Sequence, residues 1–128
     1  MKTRIIETIP HNEQRYDTAG DYEDIFDHLR FYISDMGNED YEFILLLHEL
    51  IEEHLTRRKG IKISDIDKWD MEEVFKKDPK YSGDPGLSKL APYHKEHMIA
   101  LRMEKLFCKT VGIDFNKYNK IYDKLKYK

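Results

Sequence analysis

The stretch His48-Glu49-Leu50-Ile51-Glu52 puts three side chains able to bind a metal or move a proton within five residues. On an α-helix, residues four apart stand on the same face, one turn above the other. His48 and Glu52 can therefore grip a single zinc ion, while Glu49 reaches a water beside it and can take its proton. A catalytic zinc takes three protein ligands and keeps a further position open. The third ligand must come from another element, and His97 is the best-placed imidazole. His48, Glu52 and His97 then make up a two-histidine, one-carboxylate donor set suited to metal-assisted hydrolysis. Glu104, two turns beyond His97, is expected to support a ligand from behind or to bind as an additional one.

Helical placement gives the same residues weight. On a helix predicted over residues 92–112, Tyr93, Ala100, Phe107, Cys108 and Val111 share an apolar arc, and His97 and Glu104 fall in its middle. On a helix predicted over 39–59, Phe43, Ile44, Leu47, Ile51 and Leu55 form the arc expected to be buried. His48 and Glu52 stand at its edge, and Glu49 lies beside them in a more open position. His94 falls on a border, His54 is expected to be packed in, and Glu53 and Thr56 read as exposed. A carboxylate or imidazole in an apolar arc is costly unless it meets a partner or a metal. A metal-free arrangement also answers that demand, with His48 paired to Glu104 and His97 to Glu52.

The elements that must carry these residues can be read from their punctuation. Residues 3–9 form a short strand ending at Pro10, and residues 29–34 alternate Leu29, Phe31 and Ile33 with polar positions, as a half-buried strand does. Asp17–Asp27 reads as a loop or hairpin connection. Asn38 is the candidate N-cap of the first long helix, and Gly60 its stop. Ser64 and Asp67 suggest caps for a shorter helix through Lys76 that carries Trp69 and Phe75. Residues 78–91 are a loop, Pro92 opens the second long helix, and Asp114 caps a last one with Phe115, Tyr118, Ile121, Tyr122 and Leu125 on one side. The expected fold is α+β in a single domain, residues 1–128. Short N-terminal antiparallel strands are followed by three to four helices, with the two long ones facing each other.

Composition narrows the alternatives. The 128 residues hold 22 Lys and Arg against 25 Asp and Glu, a formal charge of −3. Residues 7–53 carry 14 acids and 2 bases, which disfavours DNA as the main partner. The lysines after residue 108 read as the solvated face of a helix. No run is long enough for a membrane span, and the N-terminus lacks the apolar stretch of a secretory signal, so a cytoplasmic location is expected. Cys108 stands alone, which excludes an intramolecular disulfide framework. Ser34, Ser64, Ser82 and Ser88 sit in no nucleophile elbow, and Gly83-Asp84-Pro85-Gly86 lacks the lysine of a phosphate loop. No Glu is followed three residues later by His, against a di-iron bundle. Glu49-x-x-Glu52 with Asp67-x-x-Asp70 loosely echoes a magnesium-dependent nucleotide pyrophosphohydrolase, a reading that leaves both histidines idle.

The segment IPHNEQRYDTAGDY (residues 9–22), the HELIE core His48–Glu52, Gly83–Gly86, and APYHKEH (Ala91–His97) leading to Glu104 resemble a family of small phage and prophage proteins. The resemblance spans roughly residues 5–118 and implies a phage or prophage origin, hence the cytoplasm of a bacterial host. That family is in turn similar to minimal zincin-like metallopeptidases, in which a strand precedes the HExx helix and a later helix adds a ligand. Carried over to this chain, the resemblance implies a zincin-like core, zinc on His48, Glu52 and His97, Glu49 as catalytic base, and a peptide or protein substrate. Glu52 stands where the second histidine usually is, and no Met-turn or HxxGxxH extension follows. Within this reading the strand Leu29–Ser34 is expected to be an edge that pairs with an extended peptide. The non-enzyme alternative is a phage protein that binds a partner, its His/Glu set serving only structure.

Overall fold

A computed structural model describes residues 2–81, 83–125 and 127; Ser82 and the Phe75 side chain lie outside the described residues. The chain is α+β. Strands β1 (Thr3–Ile9), β2 (Gly20–Ile25) and β3 (His28–Ser34) form one sheet in the order β1-β3-β2. The alternation of β3 works as expected, with Leu29, Phe31 and Ile33 buried. Two expectations for the strands do not hold. The Asp17–Asp27 segment is not merely a connection, for it contains β2, whose acidic sequence GDYEDI carries little strand signal. The sheet is also mixed rather than antiparallel: β3 runs antiparallel to β2 and parallel to β1. The chain reverses between β1 and β2 and again in the β2–β3 hairpin, so β1 and β3 point the same way. As the central strand, β3 has both edges paired and cannot take a peptide as an added strand.

Five α-helical segments follow among the described residues, making four helices as expected, since two of the segments join through a π-helical turn. Helix α1 (Glu39–Arg58) starts at Asn38, whose Oδ1 accepts from the Tyr41 amide, and gives way at Gly60 in a left-handed conformation (φ +75°). Helix α2 (Ile63–Lys68) starts after Lys62 with no side-chain cap, so Ser64 and Asp67 do not cap it. It runs through a π-helical turn, Trp69–Glu73, into α3 (Val74–Lys77). Helix α4 (His94–Val111) begins two residues after Pro92, and α5 (Phe115–Asp123) is capped by Asp114 as expected. Helices α1 and α4 pack against each other. Tyr22, Leu29 and Phe31 of the sheet meet Ile66, Trp69, Val74, Ala91 and Tyr93 in the main core.

The rotation of α1 differs from its expected one. Its buried stripe is Ile44, Leu45, His48, Glu49, Glu52, Glu53 and Thr56, a continuous face of the helix that is mostly polar. Glu53 (4% exposed) and Thr56 (1%), expected outside, are inside, while His54 is exposed and Phe43 is half exposed (50%). The apolar arc is displaced to the flanks, where Leu46 and Leu50 cover the core edges. Glu49 and Glu52 turn inward because the space they face is a cavity. Glu53, which does not line it, finds a cation instead, Arg57 one turn on, at 2.9 Å.

Candidate metal centre

Helices α1 and α4 bring His48, Glu52 and His97 together. His48 Nε2 lies 3.0 Å from Glu52 Oε2 and 3.2 Å from His97 Nδ1, and His97 Nδ1 lies 2.8 Å from the same Glu52 oxygen. All three side chains are buried, and their donor atoms form the one group of metal-ligating type found among the described residues. Donors ~2.1 Å from a tetrahedral zinc stand ~3.4 Å apart. The edges of the triangle, 2.8 to 3.2 Å, thus need to open by roughly 0.2–0.6 Å to take an ion.

What lies behind the triangle determines what it presents. His48 Nδ1 is 2.7 Å from Glu104 Oε2. A carboxylate accepts, so that nitrogen carries the proton, and Nε2 turns a lone pair to the triangle. On His97 the far nitrogen, Nε2, faces Asp84 Oδ2 at 3.4 Å, a looser version of the same arrangement. Tyr22 donates to Glu52 Oε1 at 2.9 Å and leaves Oε2 for the triangle, and Tyr118 donates to Glu104 Oε1 at 2.8 Å. With both rings neutral, three lone pairs converge on one point, which is unfavourable until a proton or a metal ion occupies it. The proton affinities agree. Burial opposes a charge on His48, but the hydrogen bonds with Glu104 and Glu52 outweigh it and lift its pKa well above the ordinary value. His97 shifts the same way under its bond with Glu52 and the charge of Asp84, again against burial. Glu52 is held well below the carboxylate range, since its bonds to the two histidines overcome its burial.

Glu49 is 7% exposed and takes no hydrogen bond to its carboxylate among the described residues. Burial first, and then the charge of Glu52, push its pKa well above the usual range. It lies against β2 at Gly20, where a Cβ would stand 2.5 Å from Glu49 Oε1. Gly86 plays the same part for His97: a Cβ there would stand 2.6 Å from Nδ1. The 83–86 loop, which has no phosphate-binding pattern, is thus the seat of His97. Asp84 Oδ1 accepts from the Gly86 amide, Trp69 donates to Pro85 O, and His94 Nδ1 donates to Gly86 O. The border position of His94 is explained by that structural bond.

The triangle and Glu49 open on a cavity of about 360 Å³ between β2, the π-helical turn, the 83–86 loop, α4 and α5. Every sequence-derived site residue (His48, Glu49, Glu52, His97 and Glu104) lines it. Sequence reading did not find Asp84, Tyr22, Tyr118, Gly20 and Gly86, and it noticed Asp70 only in another motif. Asp70 accepts from Tyr16 at 2.8 Å and Tyr93 at 2.5 Å, and burial pushes its pKa up to about 7. Only the acid-Pro-Gly turn shortly before His97 signalled any of this in the sequence. Comparison of the chain with protein families, with curated sequences and with solved structures gives no significant match.

Proposed function

We propose that the protein is a zinc-dependent hydrolase with a minimal metallopeptidase-like centre. One observation carries the reading: two buried imidazole nitrogens and one carboxylate oxygen converge within 3.2 Å of one another, and the far side of each imidazole faces a carboxylate. His48, Glu52 and His97 would hold the ion, Glu104 and Asp84 would keep the imidazoles oriented, and Tyr22 would do so for Glu52. A bound zinc supplies Lewis acidity toward a carbonyl and lowers the pKa of a coordinated water toward ~7. Glu49 is the base. It faces the cavity next to the triangle, holds no other partner among the described residues, and has a raised proton affinity, which suits a group that takes a proton and returns it to a leaving amine. An amide or peptide carbonyl is the substrate this chemistry fits. A phage-encoded protein acting on a peptide in a bacterial host is the setting suggested by the motif resemblance.

The second reading is a structural His/Glu cluster in a partner-binding protein, and one feature favours it. The donor separations of 2.8–3.2 Å are already those of hydrogen bonds, which a single shared proton would satisfy. The pyrophosphohydrolase reading has less support, because Arg15 engages both oxygens of Asp67 at 3.1 Å and leaves its carboxylate little freedom for magnesium. Metal analysis of untagged protein separates the readings. We expect close to one zinc per chain, lost in His97→Ala. The same donor set suits ferrous iron, so the analysis also identifies the ion. Glu49→Gln should retain metal and lose at least about 100-fold in amide hydrolysis. Absence of metal after loading, or metal without any effect of Glu49→Gln, would favour the structural cluster.

A further inference from the structure

Nine carboxylate residues line the cavity, and Lys105 is the one lysine among them, with no arginine. Asp17 and Asp123 are exposed, and Asp21 and Asp67 are neutralised. Arg15 bridges Asp21, at 2.7 and 3.0 Å, and Asp67, at 3.1 Å through two nitrogens. Lys105 is exposed and lies at the α5 side of the cavity, its Nζ over the ring of Phe115 at 5.4 Å. Asp70, Asp84 and Glu49 have no lysine or arginine partner among the described residues. Asp70 accepts two tyrosine hydroxyls, and Asp84 accepts the Gly86 amide on one oxygen and has the looser approach of His97 on the other. Glu49, buried and facing the cavity, accepts nothing. A divalent ion at the triangle offsets only part of this excess.

A low-dielectric cleft lined by one sign of charge focuses the opposite charge and repels its own. We propose that the substrate carries a cationic group, an ammonium or guanidinium, held on the wall formed by Asp70 and Asp84 while the carbonyl to be cleaved faces the triangle. This rests on the hydrolase reading for the reaction, but the charge preference belongs to the cavity itself. The two acids sit on neighbouring elements: Asp70 on the π-helical turn, which packs on the Pro85–Leu87 turn that follows Asp84. Each is a neighbour whose negative charge the other feels, and the high proton affinity of Asp70 reflects, after burial, the charges of Glu52 and Asp84. About 360 Å³ is at the lower end for a small-molecule site and suits one residue with its flanking amide. Nucleotides and other phosphorylated substrates are disfavoured by the same field.

The cation could be a basic side chain or a free amino terminus, and the test separates them. Metal-free and zinc-loaded protein are titrated by calorimetry or NMR with four probes. Nα-acetyl-lysinamide carries only a side-chain ammonium, leucinamide only an α-ammonium. Nα-acetyl-norleucinamide is neutral, and Nα-acetyl-glutamate is anionic. At least one cationic probe should bind about tenfold or more tightly than the neutral one, a difference expected of a partly desolvated charge pair. Asp70→Asn should reduce that preference to about threefold or less while zinc affinity stays within about threefold, since Asp70 touches no proposed ligand. Equal binding of neutral or anionic probes, no binding of either cation, or an unchanged preference in Asp70→Asn would each overturn the proposal. Zinc titration is read separately. A chain that selects cations but binds no zinc would end the hydrolase reading and leave this one standing, and the reverse result would do the opposite.

Discussion

Glu104 is the residue whose role is most sharply defined by its neighbours. It receives the His48 Nδ1 proton on one oxygen and the Tyr118 hydroxyl on the other, and both contacts are buried. Its charge makes His48 a stronger donor to a metal and fixes the ring tautomer. Replacing it by Gln keeps the size and one acceptor but removes the charge. Glu104→Gln should therefore weaken zinc binding by about 10–100-fold, read by competition with a chromophoric chelator. Tyr118→Phe should have a smaller effect on zinc but cost about 1–3 kcal/mol of stability, because a buried carboxylate oxygen loses its partner. A folded Glu104→Gln protein with wild-type zinc affinity would show that His48 is oriented by its helix alone. Cys108, one turn further along α4, has no comparable part: it is buried, and burial and the charge of Glu104 raise its pKa, so it is an unreactive core thiol.

Two elements without chemical groups of their own decide where the chemical groups stand. β2 and the 83–86 loop approach the site through glycines, and neither glycine is required for a positive φ; each is required for closeness. A methyl at residue 86 would strike the ring of His97, which is confined by Tyr93 and His48 and cannot swing aside. A methyl at residue 20 would strike only the end of Glu49. Gly86→Ala should thus lower zinc affinity at least about tenfold, while Gly20→Ala should keep zinc and lose hydrolysis. Identical effects of the two would mean that the loop and strand do not position separate groups. The same contrast explains what sequence could reveal. His48, Glu49, Glu52, His97 and Glu104 were legible because helical spacing places residues at known angles on α1 and α4. The inward turn of α1 was not, since the leucines form the better apolar arc and only a cavity makes a Glu-rich face the buried one. β2 was hidden by its acids, and Asp84 by belonging to a loop, where no period relates sequence distance to place.

At the scale of the whole molecule, the proposed centre would link metal, protons and stability. In the metal-free protein burial pushes the Asp70 pKa up to about 7, and those of Glu49, His48 and His97 all lie above their ordinary values. Raised folded-state pKa values mean that the folded chain holds protons the unfolded chain would release. Asp70 contributes fully below its ordinary 3.8 and loses that contribution as pH rises to about 7. The two histidines contribute below about 6.5 and lose it above, through their raised folded values. Glu52, shifted downward, acts in the opposite sense, but its loss falls below about 4.5 and outside the neutral range. The metal-free protein should therefore become less stable from pH 5.5 to pH 8. Zinc takes the place of the protons at the histidines, so its affinity rises over the same interval, by up to about 1.4 kcal/mol per pH unit for each proton displaced. At a free zinc concentration about 100 times Kd the added stability is about 2.7 kcal/mol, roughly 10 °C in Tm for a chain of this length. Thermal unfolding with zinc and with chelator should show a gap in Tm that is small at pH 5.5 and widest at pH 8. In His97→Ala the gap should vanish and the fall in stability with pH should become shallower, because one of the raised groups is gone. A gap of constant size across this range would place zinc elsewhere on the molecule, since only a site that competes with these protons widens it.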